Sequence, residues 1–152
     1  MKKLFFALII LAALFNGCAL KSIKPIFKQD TLYEKTLKYT QRGQIVNSLE
    51  TKALIDAVYL NPLYPKKFKN PTFLIGIYNG FNNALENEEF SLTLNNKKPI
   101  KVTTKIPNFI PYKFYPFYNS WMTYYLVEFN KTKQPYVLIY KSKDWGETKL
   151  IF

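Results

Sequence analysis

The sequence predicts an all-β fold: a seven-stranded antiparallel sandwich of immunoglobulin or fibronectin-III type, preceded by one short α-helix. Three observations predict it. From Lys52 to Phe152, seven short runs rich in β-branched and aromatic residues follow one another, with turn signals between them. Only one stretch, near residue 31, carries the punctuation of a helix. The 12 Tyr, 13 Phe and 2 Trp supply a core in a chain whose single cysteine cannot form an internal disulfide.

The helix is expected from Leu32 to Arg42. Thr31 and Glu34 have capping-box spacing, and Gly43 stands where a C-terminal stop belongs. Its apolar residues make a ragged stripe, enough to lie against the rest of the domain. The first strand, Lys52–Leu60, stops at Asn61-Pro62, and residues 61–71 are a loop rich in proline and lysine. Thr72–Tyr78 is nearly all apolar, as in a strand buried on both faces, and Asn79-Gly80 ends it. Glu89–Leu94 and Ile100–Lys105 both alternate with period two across a short polar turn, which predicts a hairpin. Prolines at 107, 111 and 116 exclude a helix or a central strand from residues 106–119. Ser120–Phe129, Tyr136–Lys141 and Glu147–Phe152 complete the strands. No Cys–Trp–Cys framework is present, so the immunoglobulin likeness concerns architecture alone. A membrane-spanning barrel is disfavoured, because it needs at least eight strands of about 9–11 residues.

Ahead of this domain, Lys2 and Lys3 precede the uncharged apolar run Leu4–Phe15, and Asn16-Gly17-Cys18 closes it. A basic start, a short apolar core and a small residue at the cut make a secretory signal peptide, too short to span a bilayer comfortably. With the only cysteine next after Gly17, the segment resembles the lipobox of bacterial lipoproteins. The resemblance implies that Cys18 is lipidated, becomes the first residue of the mature chain and is acylated on its new amine. It divides the chain into a signal peptide over 1–17, a lipidated tether over 18–29 and a single domain over 30–152. Ala19 lacks the aspartate that favours inner-membrane retention in lipoproteins, so the expected location is the outer membrane. The Lys/Phe/Ile/Asn/Tyr-heavy composition, the run Glu50-Thr51-Lys52 to Tyr59-Leu60-Asn61-Pro62, and Trp121 with Tyr125-Leu126-Val127-Glu128-Phe129 also resemble small lipoproteins of epsilon-class proteobacteria. Some of those are sandwich proteins, and the resemblance implies no catalytic residues.

The chain carries 22 Lys+Arg against 10 Asp+Glu, a net +12. Lysine supplies all of the positive charge but Arg42, which argues against a dedicated bidentate phosphate reader. Attraction to anionic lipid headgroups, acidic glycans or acidic proteins fits this charge; nucleic acid is not expected as a partner of an exported lipoprotein. With no histidine, the usual triads, the Cys–His pair and most transition-metal sites are excluded. Glu86, Glu88 and Glu89 lack the oxygen ladder and glycine of a calcium loop. Asp56 and Glu128 interrupt otherwise apolar strands and are expected to face solvent or to pair with a lysine. The alternative, a carboxyl pair of the glycosidase kind, would make them catalytic. No catalytic residue, cofactor or metal is expected.

Two stretches suit binding. Nine of the seventeen residues from Phe109 to Tyr125 are aromatic, and Tyr112, Phe114, Tyr115, Phe117 and Tyr118 lie in a proline-stiffened loop. Such a loop either presents a binding surface or folds back over the open end of the sandwich. The second is Tyr64-Pro65-Lys66-Lys67-Phe68-Lys69, where Lys66, Lys67 and Lys69 surround aromatics in a pattern suited to an anionic headgroup or polymer. The expected function is that of a non-enzymatic binding or assembly module of the cell envelope, anchored to a membrane at Cys18, with an envelope protein or anionic polymer as partner. The alternative is a glycan- or anionic-lipid-binding module using the aromatic loop 109–125.

Overall fold

The computed structural model describes residues 31–80, 85 and 88–152. The expected signal peptide, the tether with Cys18, and Glu86 lie outside the described residues. Helix α1 (Thr31–Lys38) leads into eight strands: β1 (Thr40–Asn47), β2 (Glu50–Tyr59), β3 (Thr72–Asn79), β4 (Phe90–Leu94), β5 (Lys101–Thr103), β6 (Thr123–Glu128), β7 (Val137–Ser142) and β8 (Gly146–Ile151). They form a five-stranded sheet in the order β1-β2-β3-β6-β5 and a three-stranded sheet in the order β4-β7-β8. Every pairing is antiparallel. This is an all-β sandwich. Without β1, the orders β2-β3-β6-β5 and β4-β7-β8 reproduce the ABED and CFG sheets of a constant-type immunoglobulin domain.

Strand β1 is the element that exceeds the expected seven. The helix ends at Lys38, because the Thr40 hydroxyl donates to the Thr36 carbonyl at 2.6 Å and the Tyr39 amide bonds the same oxygen at 3.0 Å. Gly43, expected as a helix stop, instead lies in mid-strand opposite Ile55. A Cβ there would stand 2.5 Å from Thr148 Oγ1 and 2.9 Å from Leu150 Cδ2. The missing side chain lets β1 lie against β8 and close that flank of the sandwich.

The hairpin expected between residues 89–94 and 100–105 does not form. β4 pairs with β7, β5 pairs with β6, and the single bridge there, Leu94 to Lys97, lies within the turn. Asn95 and Asn96 do turn the chain, both at positive φ. However, the Asn95 side chain accepts from the Val137 amide at 2.7 Å and donates to the Lys133 carbonyl at 2.8 Å, tying the turn to β7. Pro99, without an amide proton, then stops a ladder from growing beyond it.

Two apolar clusters hold the molecule. The first lies between the sheets, with Ile55, Phe73, Ile75, Val127, Leu138 and Tyr140 among its members. Phe90 stacks on Tyr140 with centroids 5.3 Å apart. At one end, Tyr59, Phe73, Phe129, Tyr136 and Phe152 meet ring to ring. These aromatics close the sandwich end, a role the aromatic loop was expected to take if it folded back. The second cluster covers the outer face of the larger sheet: Val58, Leu60 and Leu74 pack against Ile110 and Tyr115, with Leu32 of α1 beside them. β3 is accordingly buried on both faces from Thr72 to Ile77, as its unbroken apolar run predicts.

The β1–β2 turn places Ser48 and Leu49 at φ values of 52° and 66°, and Leu49 is fully exposed. A leucine there has the strain of the left-handed region and no burial to offset it. Leu49→Gly is expected to raise the unfolding free energy by about 1 kcal/mol, read from the urea midpoint; an unchanged or lower midpoint would contradict the account of strain.

Candidate functional site

The loop between β2 and β3 is held at its base by one asparagine. Asn61 accepts from the Thr72 amide and donates to the Asn70 carbonyl, both at 2.8 Å, and the Leu60 amide bonds the Thr72 carbonyl at 2.9 Å. With both ends fixed, the tip presents Lys66, Lys67 and Lys69 to solvent. The loop between β5 and β6 crosses the outer face of the larger sheet and reaches this tip. Tyr115 and Tyr64 share a hydroxyl–hydroxyl bond of 2.5 Å. The rings of Tyr64, Phe68 and Phe109 form a triangle with centroids 5.5–6.3 Å apart, and the Lys67 ammonium sits 5.3 Å over Phe109. The two candidate stretches therefore make one surface, of lysines around aromatics.

Not every aromatic in it is free to bind. Tyr115 is only 5% exposed and belongs to the second cluster. Tyr112 and Tyr118 are half-buried and interlock with Tyr124 through centroid distances of 5.3–5.8 Å. Tyr124 lies over Gly76, where a Cβ would come within 2.6 Å of its ring. A short 3-10 turn, Tyr112–Phe114, turns Lys113 and Phe114 outward, and Phe114 is 74% exposed. Beside it, Ile106, Pro107 and Tyr112 line a shallow hollow of about 320 Å³. Of the eight expected partner-binding residues, Phe114, Phe117, Lys66, Lys67 and Lys69 reach the surface, while Tyr112, Tyr115 and Tyr118 hold the loop on the sheet. The sequence reading missed Lys113 and the separate contribution of Phe109. Their signal is the placement of a lysine and a phenylalanine between prolines.

Farther along the same face, Tyr78 and Trp121 meet edge to face at 4.9 Å, and Trp121 is 52% exposed. Next to β1, Arg42 stacks on Phe117 at 4.3 Å, with Phe117 held at a φ of 64°. The guanidinium also grips Asp56 through two bonds of 2.6 and 2.7 Å. Asp56 is 4% exposed, so it neither faces solvent nor pairs with a lysine; the chain's one arginine answers it. Glu128 accepts from Asn70 at 2.7 Å. The register sets Asp56 opposite Gly76 and Glu128 opposite Thr72. Two strands and four residues of separation put the carboxylates roughly 16 Å apart, outside the about 5–9.5 Å of glycosidase pairs. Among the described residues no group of three His, Cys, Asp or Glu could hold a metal ion. Among them, too, no buried side-chain nitrogen or oxygen lacks a hydrogen-bond partner.

Burial pushes the phenol of Tyr115 well above its ordinary range, with the Tyr64 hydrogen bond adding to the shift. Burial also raises the phenols of Tyr140 and Tyr124. A phenol whose folded pKa is raised contributes stability that is complete below the unfolded value and lost as pH climbs past it. Stability is therefore expected to fall above pH about 10, with phenolate absorbance from the buried tyrosines appearing only on unfolding. Full phenolate absorbance in a chain that keeps its native near-UV signal would refute this.

Removing Arg42 leaves a buried carboxylate without its cation. Arg42→Ala is expected to cost about 3 kcal/mol in urea unfolding, and Arg42→Lys to recover only part of it, since a point charge cannot occupy both carboxylate oxygens and stack on Phe117. A change within about 0.5 kcal/mol, the range of ordinary surface substitutions, would show that the pair is structurally idle.

No protein-family model matches this chain, and neither a curated protein nor a solved structure matches it.

Proposed function

We propose that this chain is a non-enzymatic binding module of the cell envelope, held at a membrane, most simply the outer one, by lipid on Cys18. The observation that carries the reading is the union of two loops, one basic and one aromatic, into a single exposed surface on a rigid sheet. Exposed aromatics interleaved with cations are a common composition of recognition surfaces. The support beneath is stiff, because the basic loop is tied at its base by Asn61 and the aromatic loop is pinned by Ile110 and Tyr115. Against catalysis stand the two strand carboxylates, each engaged by a neighbour and far from the other. The address comes from the leader: Lys2 and Lys3, the apolar run, and Cys18 after Gly17. Two or three acyl chains, each methylene contributing about 0.8 kcal/mol, make such attachment lasting.

Mass spectrometry of the membrane fraction tests the address. The mature chain is expected to begin at Cys18 and to carry both diacylglyceryl and amide-linked acyl groups. A Cys18→Ala chain is expected to retain residues 1–17 and to take up no palmitate. An unlipidated wild-type protein would overturn the reading.

A further inference from the structure

We infer that the surface formed by Lys66, Lys67, Lys69, Lys113, Phe109 and Phe114 docks on a bilayer bearing anionic headgroups. This deepens the proposed function by naming the partner of the same surface, and it rests on that reading. Charge argues first. None of the four lysines forms an ion pair among the described residues, where the bridges are Arg42–Asp56, Lys52–Glu50 and Lys149–Glu147. Their ammonium groups are thus open to lipid phosphates. The type of cation argues second. Lysine is a mobile point charge suited to a fluid array of headgroups, whereas gripping one fixed phosphate calls for the arginine fork. The chain's only arginine is occupied by Asp56.

The phenylalanines then separate a membrane from a soluble polyanion. Phe114 stands mostly in water at the outermost turn of the aromatic loop, and Phe109 is exposed beneath Lys67. A polyanion in solution leaves these rings wet. At a bilayer they enter the headgroup boundary while the lysine stems lie along it with their ammonium groups at the phosphates. The loop need not reorganise to do so, because the Tyr64–Tyr115 hydroxyl bond and the buried Ile110 already fix it.

Co-sedimentation with vesicles tests this, using the mature chain made as residues 19–152 so that no acyl chain contributes. The probes are vesicles of phosphatidylcholine alone and of phosphatidylcholine mixed with phosphatidylglycerol. Binding is expected to the mixed vesicles only. Replacing Lys66, Lys67 and Lys69 with Ala is expected to weaken it roughly a hundredfold, at about fivefold per lysine near the surface. Replacing Lys141, Lys143 and Lys149 of the β7–β8 hairpin with Ala, an equal loss of charge, is expected to leave most of the binding. Phe114→Ala, at an exposed position that the fold does not use, is expected to weaken vesicle binding while leaving binding to soluble polyphosphate unchanged. Equal losses from the two lysine triples would reduce the effect to net charge and overturn the inference. So would failure to bind mixed vesicles, or a Phe114→Ala chain that binds them as well as its parent. None of these outcomes touches the acylation of Cys18, and an unlipidated wild-type protein would leave the vesicle result standing.

Discussion

The centre of the larger sheet is apolar on both faces, and much of the remaining architecture answers that one constraint. A strand such as β3, buried from Thr72 to Ile77, cannot be served by a single partner sheet. The three-stranded sheet covers the inner face. The outer face falls to whatever else the chain can supply, which is about two turns of amphipathic helix and two long loops. This is why a chain without an internal disulfide affords an aromatic loop of such density: about half of its rings are cover. Those left in water, Phe114 and Trp121 above all, sit where the cover already suffices. The lysine–aromatic surface and the second core are thus opposite sides of one layer.

At the margin of that layer the sheet admits one buried charge among the described residues. Asp56 occupies an outward position on β2, between the covered half of the sheet and the open half bearing Tyr78 and Trp121. An ionised carboxylate at such depth needs a partner that satisfies both oxygens, and Arg42 on the neighbouring strand does so in the geometry only a guanidinium has. The same planar group supports Phe117 from below. A pair of this kind contributes little net stability over a well-packed apolar pair, but it fixes β1 in register against β2, because a one-residue slip would leave both charges unanswered.

Seven of the eight strands were legible because their composition leaves a mark on the sequence, as alternation in β4 and β5 or as an unbroken apolar run in β3, although β5 itself stays exposed. β1 leaves no such mark. Thr40-Gln41-Arg42-Gly43-Gln44 is polar and contains a glycine, and it is a strand only because Asp56 and Thr148 lie across from it in space. Pairing partners were less legible than strands. Asn95-Asn96 makes the turn it advertises, but β4 carries Phe90, Leu92 and Leu94 on one face and buries them best against Leu138 and Tyr140. The three residues of β5 offer no comparable stripe. For the proposed binding surface, each loop was readable from its composition. Their union was not, since Tyr64 and Tyr115 stand 51 residues apart and nothing local announces their contact.

The flank closed by β1 and β8 bears on how these molecules behave in company. Proteins crowded onto a surface meet side by side, and a β-sandwich is vulnerable there, because an open strand edge will recruit the same strand from its neighbour. Here Gly43 brings the longest edge strand against β8, with a bulge between Ile45 and Val46 breaking its regularity. The opposite flank offers only the five residues of β4 and the three of β5, the latter entered just after Pro99. Little straight ladder is left for a second copy to extend. Such edges disfavour strand-to-strand growth between copies.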